Sequence, residues 1–406
     1  MQEELARALR DAAERFGTPL YVYDVDRMTH DAQALRDAFG PPWIVLYSLK
    51  ANALRPLVCR LPALGYGANA VSLGELIAAR EAGFEPSLTA LEGIGKTERE
   101  LREVIRRFQV GTPPLWVSLE SSDEAAALAA LAGNGPGGRG RIDVLLRVNP
   151  EVSPETHAGL AVGARGSKFG MLEREIDDVV QAGGGIDGPL RWRGVHVHTG
   201  SQLRSVTAWR SALASALRIR ARLARRLPDM DTVDAGSGFP VLDEPGVPTP
   251  GDFAAVAAAE LQRAEPPARL AVEPGRAVVA RSGWLVGRVL HVRARDPRQV
   301  VLDAGMTELI RPALYGARHP MAALTSRGVG CTDSAGEEMT DADVHGPVCE
   351  STDYLGTHRL PALVRGDLVA IGQVGAYGAS MASTYNARPL PRAVLWQDGD
   401  LHLADE

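Results

Sequence analysis

Trp43-Ile44-Val45-Leu46-Tyr47-Ser48-Leu49-Lys50-Ala51-Asn52 runs from apolar, β-branched and aromatic residues to a single lysine, then to small and polar residues. The run predicts a buried strand over 43–49, and the change of texture after it predicts a loop. The strand therefore ends by delivering Lys50. Burial favours the neutral form of an amine, and a neutral amine can attack a carbonyl carbon to form a Schiff base. A strand-end lysine can equally carry its ammonium out to water. The rest of the chain decides between the two.

Working outward, short apolar runs alternate with Ala/Leu/Arg/Glu segments of helical pattern. Strands are predicted at 43–49, 68–72, 87–91, 115–119, 142–148, 194–198, 231–235 and 269–273. Helices at 74–82, 97–108, 122–132, 173–182, 207–226 and 252–263 lie between most of them. This rhythm predicts an α/β fold, a TIM-type (β/α)8 barrel, with a doubly wound open sheet as the alternative. In a barrel, the residues just past each strand share one rim. Those residues are Lys50, Ser72, Glu92, Glu120, Asn149, His198, Gly236-Ser237-Gly238 and Glu273-Pro274-Gly275-Arg276. After residue 284 strands follow one another without helices (285–292, 299–302, 368–372, 393–396), which predicts a mainly β domain. The segment 20–23, after an amphipathic helix over 1–16, is a further strand that could join it. Residues 133–141 read as a surface loop and 325–345 as an irregular one.

The 406 residues carry a net charge of −6 with scattered arginines, against a nucleic-acid or membrane surface. Apolar and charged contents of 45% and 23% are ordinary for a globular chain. The N-terminus is a charged helical pattern rather than a signal peptide, and no apolar run has membrane-spanning length. Cys59, Cys331 and Cys349 are too widely separated for a disulfide framework or metal knuckle, which makes the cytoplasm the expected location.

The glycines of Asp234-Ala235-Gly236-Ser237-Gly238-Phe239 let backbone N–H groups converge on an anion, and Arg276 adds a charge-assisted fork from the next loop. A phosphate site after strands seven and eight recurs in such barrels. Glu273 could pair with Arg276 or bond a protonated ring nitrogen. His196 and His198 lie two apart on one predicted strand, hence on one face. They invite a metal, but no third ligand of suitable spacing stands nearby and none is expected. A rim His198 against an aromatic ligand and a satisfied core His196 fit better. Cys349 beside Glu350 reads first as a small buried hydrophobe.

Twelve segments, in order, then carry a resemblance: FGTPLYVYD (16–24), YSLKAN (47–52), SLGEL (72–76), RVNP (147–150), SKFG (167–170), HVHTGSQL (196–203), EPGR (273–276), DAGM (303–306), IRPALYG (310–316), PVCES (347–351), GAYGASM (375–381) and YNARP (385–389). The chain resembles the fold-type III (alanine racemase-like) PLP-dependent decarboxylases, within them the diaminopimelate decarboxylase branch, over nearly its whole length. The resemblance implies a pyridoxal 5'-phosphate-binding barrel over 25–284 and a β domain from residues 1–24 and 285–406. It implies a head-to-tail homodimer with shared sites, and an amino-acid substrate. By the same resemblance Lys50 is the lysine that bonds the cofactor, His198 stacks on its ring and Ser201 lies near its phosphate. Gly236, Ser237, Gly238, Gly275 and Arg276 cradle the phosphate, with the Tyr377 hydroxyl. Glu273 is the ring-nitrogen partner, and Cys349 is the proton-donating thiol from the other subunit. Arg311, Tyr315 and Glu350, with Arg276 and Tyr377, hold the substrate.

The resemblance implies a carboxy-lyase that converts meso-2,6-diaminopimelate to L-lysine and carbon dioxide. Glu273 favours decarboxylation, since a carboxylate keeps the ring nitrogen protonated and the ring electron-accepting. The chain departs from the family pattern at Asn69, where an aspartate is usual, at Thr307-Glu308 in place of Asn-Asp, and in its short C-terminus. These departures leave a tailoring decarboxylase acting on a different or carrier-bound amino acid as the alternative. A catalytically silent PLP-binding partner protein is a further one.

Overall fold

The computed structural model describes residues 1, 3–133, 140–152, 163, 166–325, 328–330 and 338–404. It divides into two compact units, residues 1–31 with 278–406, and residues 32–277. The loop expected over 133–141 falls mostly outside the described residues, as does Cys331.

The chain opens with the helix Glu3–Phe16, whose buried Ala6, Leu9, Ala12 and Ala13 recur at helical spacing. Gly17, at φ +84°, ends it, and strand β1 (Leu20–Asp24) follows. The Asp24 carboxylate accepts the Arg27 backbone N–H at 2.8 Å and starts the next helix, Val25–Ala38.

In residues 32–277, β2 (Ile44–Ser48), β3 (Gly67–Ala70), β4 (Thr89–Leu91), β5 (Val117–Leu119), β6 (Ile142–Arg147), β7 (Leu190–His196), β8 (Thr232–Asp234) and β9 (Arg269–Val272) form a closed barrel. Neighbours are parallel, and β2 closes on β9 through Ile44↔Ala271 and Val45↔Val272. Closure excludes the open-sheet alternative. Leu46, Ala90, Trp116, Leu145 and Ala271 pack into one apolar cluster. Helices 73–81, 98–109, 122–132, 176–182, 207–224 and 250–262 fall on the predicted segments within a few residues.

Both ends of one strand move. Strand β7 starts at Leu190 rather than 194, because Arg191 and Arg193 alternate with buried Leu190 and Trp192 and pair with Asp143 and Asp231. The same strand stops at His196, so His198 lies in the loop beyond it rather than on the strand.

In the other unit, β10 (Gly283–Arg293), β11 (Arg298–Leu302), β12 (Met321–Thr325), β13 (Gly328–Gly330), β14 (Thr340–His345), β15 (Tyr354–Leu360), β16 (Leu368–Ile371), β17 (Arg392–Gln397) and β18 (Asp400–Leu403) join β1 in one sheet. Its main path runs β13-β12-β16-β10-β1-β17-β18, with β11, β14 and β15 continuing from β10. Strand β1 pairs antiparallel with β10 and parallel with β17, so both chain ends build this sheet. The N-terminal helix packs its alanine face on Leu20, Val22, Val286 and Val394. The irregular loop expected over 325–345 is corrected: β14 lies in it, with Ala342 and Val344 buried between polar neighbours in a period of two.

Candidate active site

Strand β2 ends at Ser48, whose N–H donates to the Pro274 carbonyl at 3.0 Å and whose Oγ donates to the Glu273 carbonyl at 3.1 Å. These bonds tie the ends of the first and last barrel strands together. A single 3-10 turn, Leu49–Ala51, follows. The Tyr47 hydroxyl donates to the Asn52 carbonyl at 2.8 Å, and Asn52 Oδ1 accepts the Leu54 N–H at 2.9 Å. The turn carrying Lys50 is thus fixed on both sides. Lys50 is half-buried there, and its charge favours the ionised forms of Glu75, Glu92 and Glu273.

The loops after β8 and β9 are equally built. Gly236 N–H donates to Asp234 Oδ1 at 2.9 Å, Ser237 N–H to His198 Nδ1 at 3.0 Å, and the Glu273 N–H to the Gly236 carbonyl at 2.8 Å. Gly236 has φ +64°, and a Cβ on it would lie 2.5 Å from the Val197 carbonyl oxygen and 2.6 Å from His198 Nδ1. Only glycine permits both the backbone and the approach. A Cβ on Gly275 would stand 3.0 Å from that of Ser48. Arg276 Nε donates to Ser201 Oγ at 3.2 Å. Ser201, Gly236-Ser237-Gly238 and Arg276, expected apart in sequence and together in space, are brought together.

Beneath them lies a buried polar cluster. Glu273 is 1% exposed and Glu92 2%. His196 Nε2 is 3.5 Å from Glu273 Oε1, and Ser118 Oγ hydrogen-bonds His196 Nδ1 at 2.8 Å. Burial, then the Asp234 charge, pushes the Glu273 carboxyl up to about 7. Burial and Glu273 push Glu92 up, and burial and Glu92 push Asp234 up. Burial first, then neighbouring cations, holds both His196 and His198 well below the usual imidazole range, so both are neutral. Glu273 Oε1, His196 Nε2, Asp234 Oδ2 and Asn69 Oδ1 are buried without a hydrogen-bond partner among the described residues. Such buried polar atoms are costly unless a partner meets them. A protonated ring nitrogen near Glu273 and an anion on the glycine loops are what this set of residues suits. The residues fit pyridoxal phosphate.

The remaining predicted residues lie in the β unit. Tyr377 is half-buried at φ +59° in a loop whose Gly375 lies against Val279: a Cβ there would meet the Val279 carbonyl oxygen at 1.8 Å. Cys349 is exposed rather than a buried hydrophobe, and accepts from Asn386 Nδ2 at 3.4 Å. Glu350 accepts the Tyr385 hydroxyl at 2.7 Å. Arg311 is buried, Nη1 at 2.8 Å from His319 Nε2, and His319 Nδ1 is 3.0 Å from the Gly372 carbonyl oxygen. Tyr315 closes the same short helix, Arg311–Tyr315.

Sequence reasoning assigned no role to Glu92, Ser118 or Asp353. Asp353 accepts the N–H groups of Met306 at 2.6 Å and Val348 at 2.7 Å, pinning the loop of Cys349. The only sequence signal for it was its place four residues after Cys349. The departures from the family pattern also find their partners. Asn69 Nδ2 donates to Glu92 at 3.0 Å. Thr307 Oγ1 donates to Glu308 at 2.8 Å, Gly305 N–H donates to its other oxygen at 2.7 Å, and the Tyr21 hydroxyl bonds the Glu308 carbonyl. Thr307-Glu308 thus braces the β unit.

A closed barrel with a lysine at one strand end, a buried acid at another and a glycine cradle between describes a pyridoxal enzyme. The chain belongs to the pyridoxal-dependent decarboxylases: the family model described as "Pyridoxal-dependent decarboxylase, pyridoxal binding domain" matches residues 25–280. Among curated relatives, the diaminopimelate decarboxylase of Deinococcus radiodurans is 36% identical, over 98% of this chain and 94% of its own. That of Aquifex aeolicus is 34% identical, over 98% and 90%. Among solved structures, Helicobacter pylori diaminopimelate decarboxylase complexed with L-lysine matches with a TM-score of 0.87 at 30% identity, covering 97% of this chain and 95% of that one. No helix among the described residues is long and apolar enough to cross a membrane.

Proposed function

We propose that the chain decarboxylates meso-2,6-diaminopimelate, giving L-lysine and carbon dioxide with uptake of one proton. The observation that carries this reading is Glu273, a buried carboxyl at a barrel strand end with Oε1 unpartnered among the described residues and within the field of Lys50. Relatives named diaminopimelate decarboxylase support the substrate.

When bound, pyridoxal phosphate supplies a protonated ring that accepts the electron pair left as carbon dioxide departs. Lys50 Nζ holds the cofactor covalently. Glu273 accepts the ring N–H and keeps its proton in place; an uncharged amide there could not. His198, neutral and bonded to Ser237, packs on the ring face. Ser201, Gly236, Ser237, Gly238, Gly275, Arg276 and the Tyr377 hydroxyl take the phosphate. Cys349 of the partner subunit, in a head-to-tail homodimer, delivers the proton that replaces the lost carboxylate. Arg311 pairs with the distal carboxylate of the substrate and Glu350 with its ammonium, beside Tyr315, Arg276 and Tyr377. The cofactor domain spans 25–284, the β domain comes from 1–24 and 285–406, and the enzyme works in the cytoplasm.

The test is carbon dioxide release across diaminopimelate isomers, lysine, ornithine and arginine. The meso isomer should be the preferred substrate by a wide margin. An enzyme that ignores it and decarboxylates another amino acid would overturn the substrate and favour the tailoring alternative.

A further inference from the structure

One buried carboxyl of the barrel has no part in the reading above. Glu92 follows β4, is 2% exposed, and accepts from Asn69 Nδ2 at 3.0 Å with Oε2. Trp116 Nε1 lies 3.5 Å from its Oε1. Its Oε2 is 3.7 Å from His196 Nδ1, and one side-chain nitrogen or oxygen from each of Glu92, His196 and Glu273 lies within 4.8 Å of the other two. The other ionisable groups acting on this cluster are Asp234, Lys50, Arg147, His198 and Lys96, and Arg147 is bonded to Glu120 at 2.6 Å.

Two carboxylates this close and out of water cannot both ionise cheaply, so such pairs share a proton. Which one keeps it depends on the reading above, on which this inference rests: a ring N–H⁺ at Glu273 selects Glu273 as the charged member. Asn69 donates to Oε2 and Trp116 Nε1 stands 3.5 Å from Oε1. A protonated Glu92 still meets both, its carbonyl oxygen accepting the Asn69 N–H and its hydroxyl oxygen keeping a lone pair toward Trp116 while its proton points elsewhere. An aspartate at 69 would instead have set another carboxylate against Glu92. The amide at this position and the acid at 92 form one arrangement.

We propose that Glu92 is a positioning residue that keeps a proton on its carboxyl and donates it to Glu273, so that the pair presents a single negative charge to the cofactor's ring nitrogen. The donated hydrogen bond also fixes the rotamer of Glu273, whose Oε1 makes no hydrogen bond among the described residues and lies 3.5 Å from His196 Nε2.

Infrared difference spectra of the holoenzyme test this directly. Wild type at neutral pH should show the C=O stretch of a buried carboxylic acid that Glu92→Gln lacks. Asn69→Leu, which removes the amide donor but keeps the acid, should shift that band without abolishing it. It also serves if Glu92→Gln fails to fold. Glu92→Gln can still donate an N–H to Glu273 and Glu92→Leu cannot, so kcat should fall about tenfold further in the leucine variant, the worth of one buried hydrogen bond. An unchanged acid band in Glu92→Gln, or equal kcat loss in both variants, overturns the proposal. Failure of the underlying reading looks different: Glu273→Gln would keep near-normal turnover while the Glu92 band persists, which removes the ring-nitrogen role and leaves the shared proton standing.

Discussion

His198 Nδ1 accepts the backbone N–H of Ser237 at 3.0 Å, joining the loop after β7 to the glycine loop after β8. The bond fixes the tautomer, leaving the proton on Nε2, and burial keeps the ring neutral. On the proposed function the imidazole is then part of the phosphate cradle as well as a face for the cofactor ring. His198→Phe keeps a flat ring but leaves the Ser237 N–H without its acceptor. Losing that bond costs about 1–2 kcal/mol, so cofactor affinity should fall roughly tenfold or more. Equilibrium titration of apoprotein with pyridoxal phosphate measures it.

Glu273→Gln should bind the cofactor, since the loops proposed to take the phosphate are untouched, yet lose turnover by about a hundredfold or more, the scale of a lost acid–base group. The same residue sets a pH trend. Its carboxyl is raised to about 7 in the folded protein from 4.5. The folded state therefore binds the proton more tightly than the unfolded one, and that stabilisation is present below pH 4.5 and lost as pH rises through 7. The melting temperature of wild-type apoprotein should fall over this window more steeply than that of Glu273→Gln. Equal slopes in calorimetry would show that Glu273 is not the group concerned.

The barrel was legible because its strands are mostly buried, largely apolar runs recurring at regular spacing, and its helices fill the gaps between them. Strands β14 and β15 were not, because they are rich in polar residues and lie in a sheet built from distant segments. The site divides the same way. Lys50, Glu273 and the glycine loops sit at strand ends and carry their chemistry in their local sequence. Glu92 does not: a glutamate before Gly93 looks like rim polarity, and only barrel closure brings it against Glu273, which follows β9. Asp353 is similar, since its meaning lies in the two N–H groups it accepts from separate loops.

Asp353 offers the clearest stability prediction. Its carboxylate holds Met306 and Val348, and Cβ atoms on Gly305 or Gly346 would stand 2.4 Å and 2.3 Å from it. Asp353→Ala leaves two N–H groups unpaired in a buried site, at a cost of about 3 kcal/mol. Denaturant unfolding should register that loss. Alkylation of Cys349 should accelerate as well, because the loop that carries it loses its tether.

If Cys349 serves the partner subunit's barrel, Lys50→Ala and Cys349→Ala should each be nearly inactive alone. Mixed and allowed to exchange, they should regain activity in hybrids. One site takes both lesions and the other neither, so about half of wild-type activity per hybrid is the ceiling under twofold symmetry. Proven exchange without recovered activity would refute the shared site. Borohydride reduction supplies the control: Lys50→Ala chains should carry no reducible bond to the cofactor, and Cys349→Ala chains should carry it fully.

On the proposed function, specificity turns on Arg311. Its guanidinium is buried and oriented by His319, which is itself 3.0 Å from the Gly372 carbonyl oxygen. A side chain held this way is pre-organised to offer a fixed fork, and a planar carboxylate is the group that matches it. Lysine lacks the distal carboxylate of diaminopimelate and would leave the fork unpaired, so lysine should be a very poor substrate. Arg311→Lys keeps the charge and loses the fork. KM for diaminopimelate should rise by roughly tenfold to a hundredfold, the equivalent of about 1.5–3 kcal/mol for a charge-assisted pair. The bound cofactor's absorbance and its reducible bond to Lys50 should stay as in wild type. Unchanged KM in Arg311→Lys would assign Arg311 to the His319 contact alone and pass recognition of the distal carboxylate to another residue.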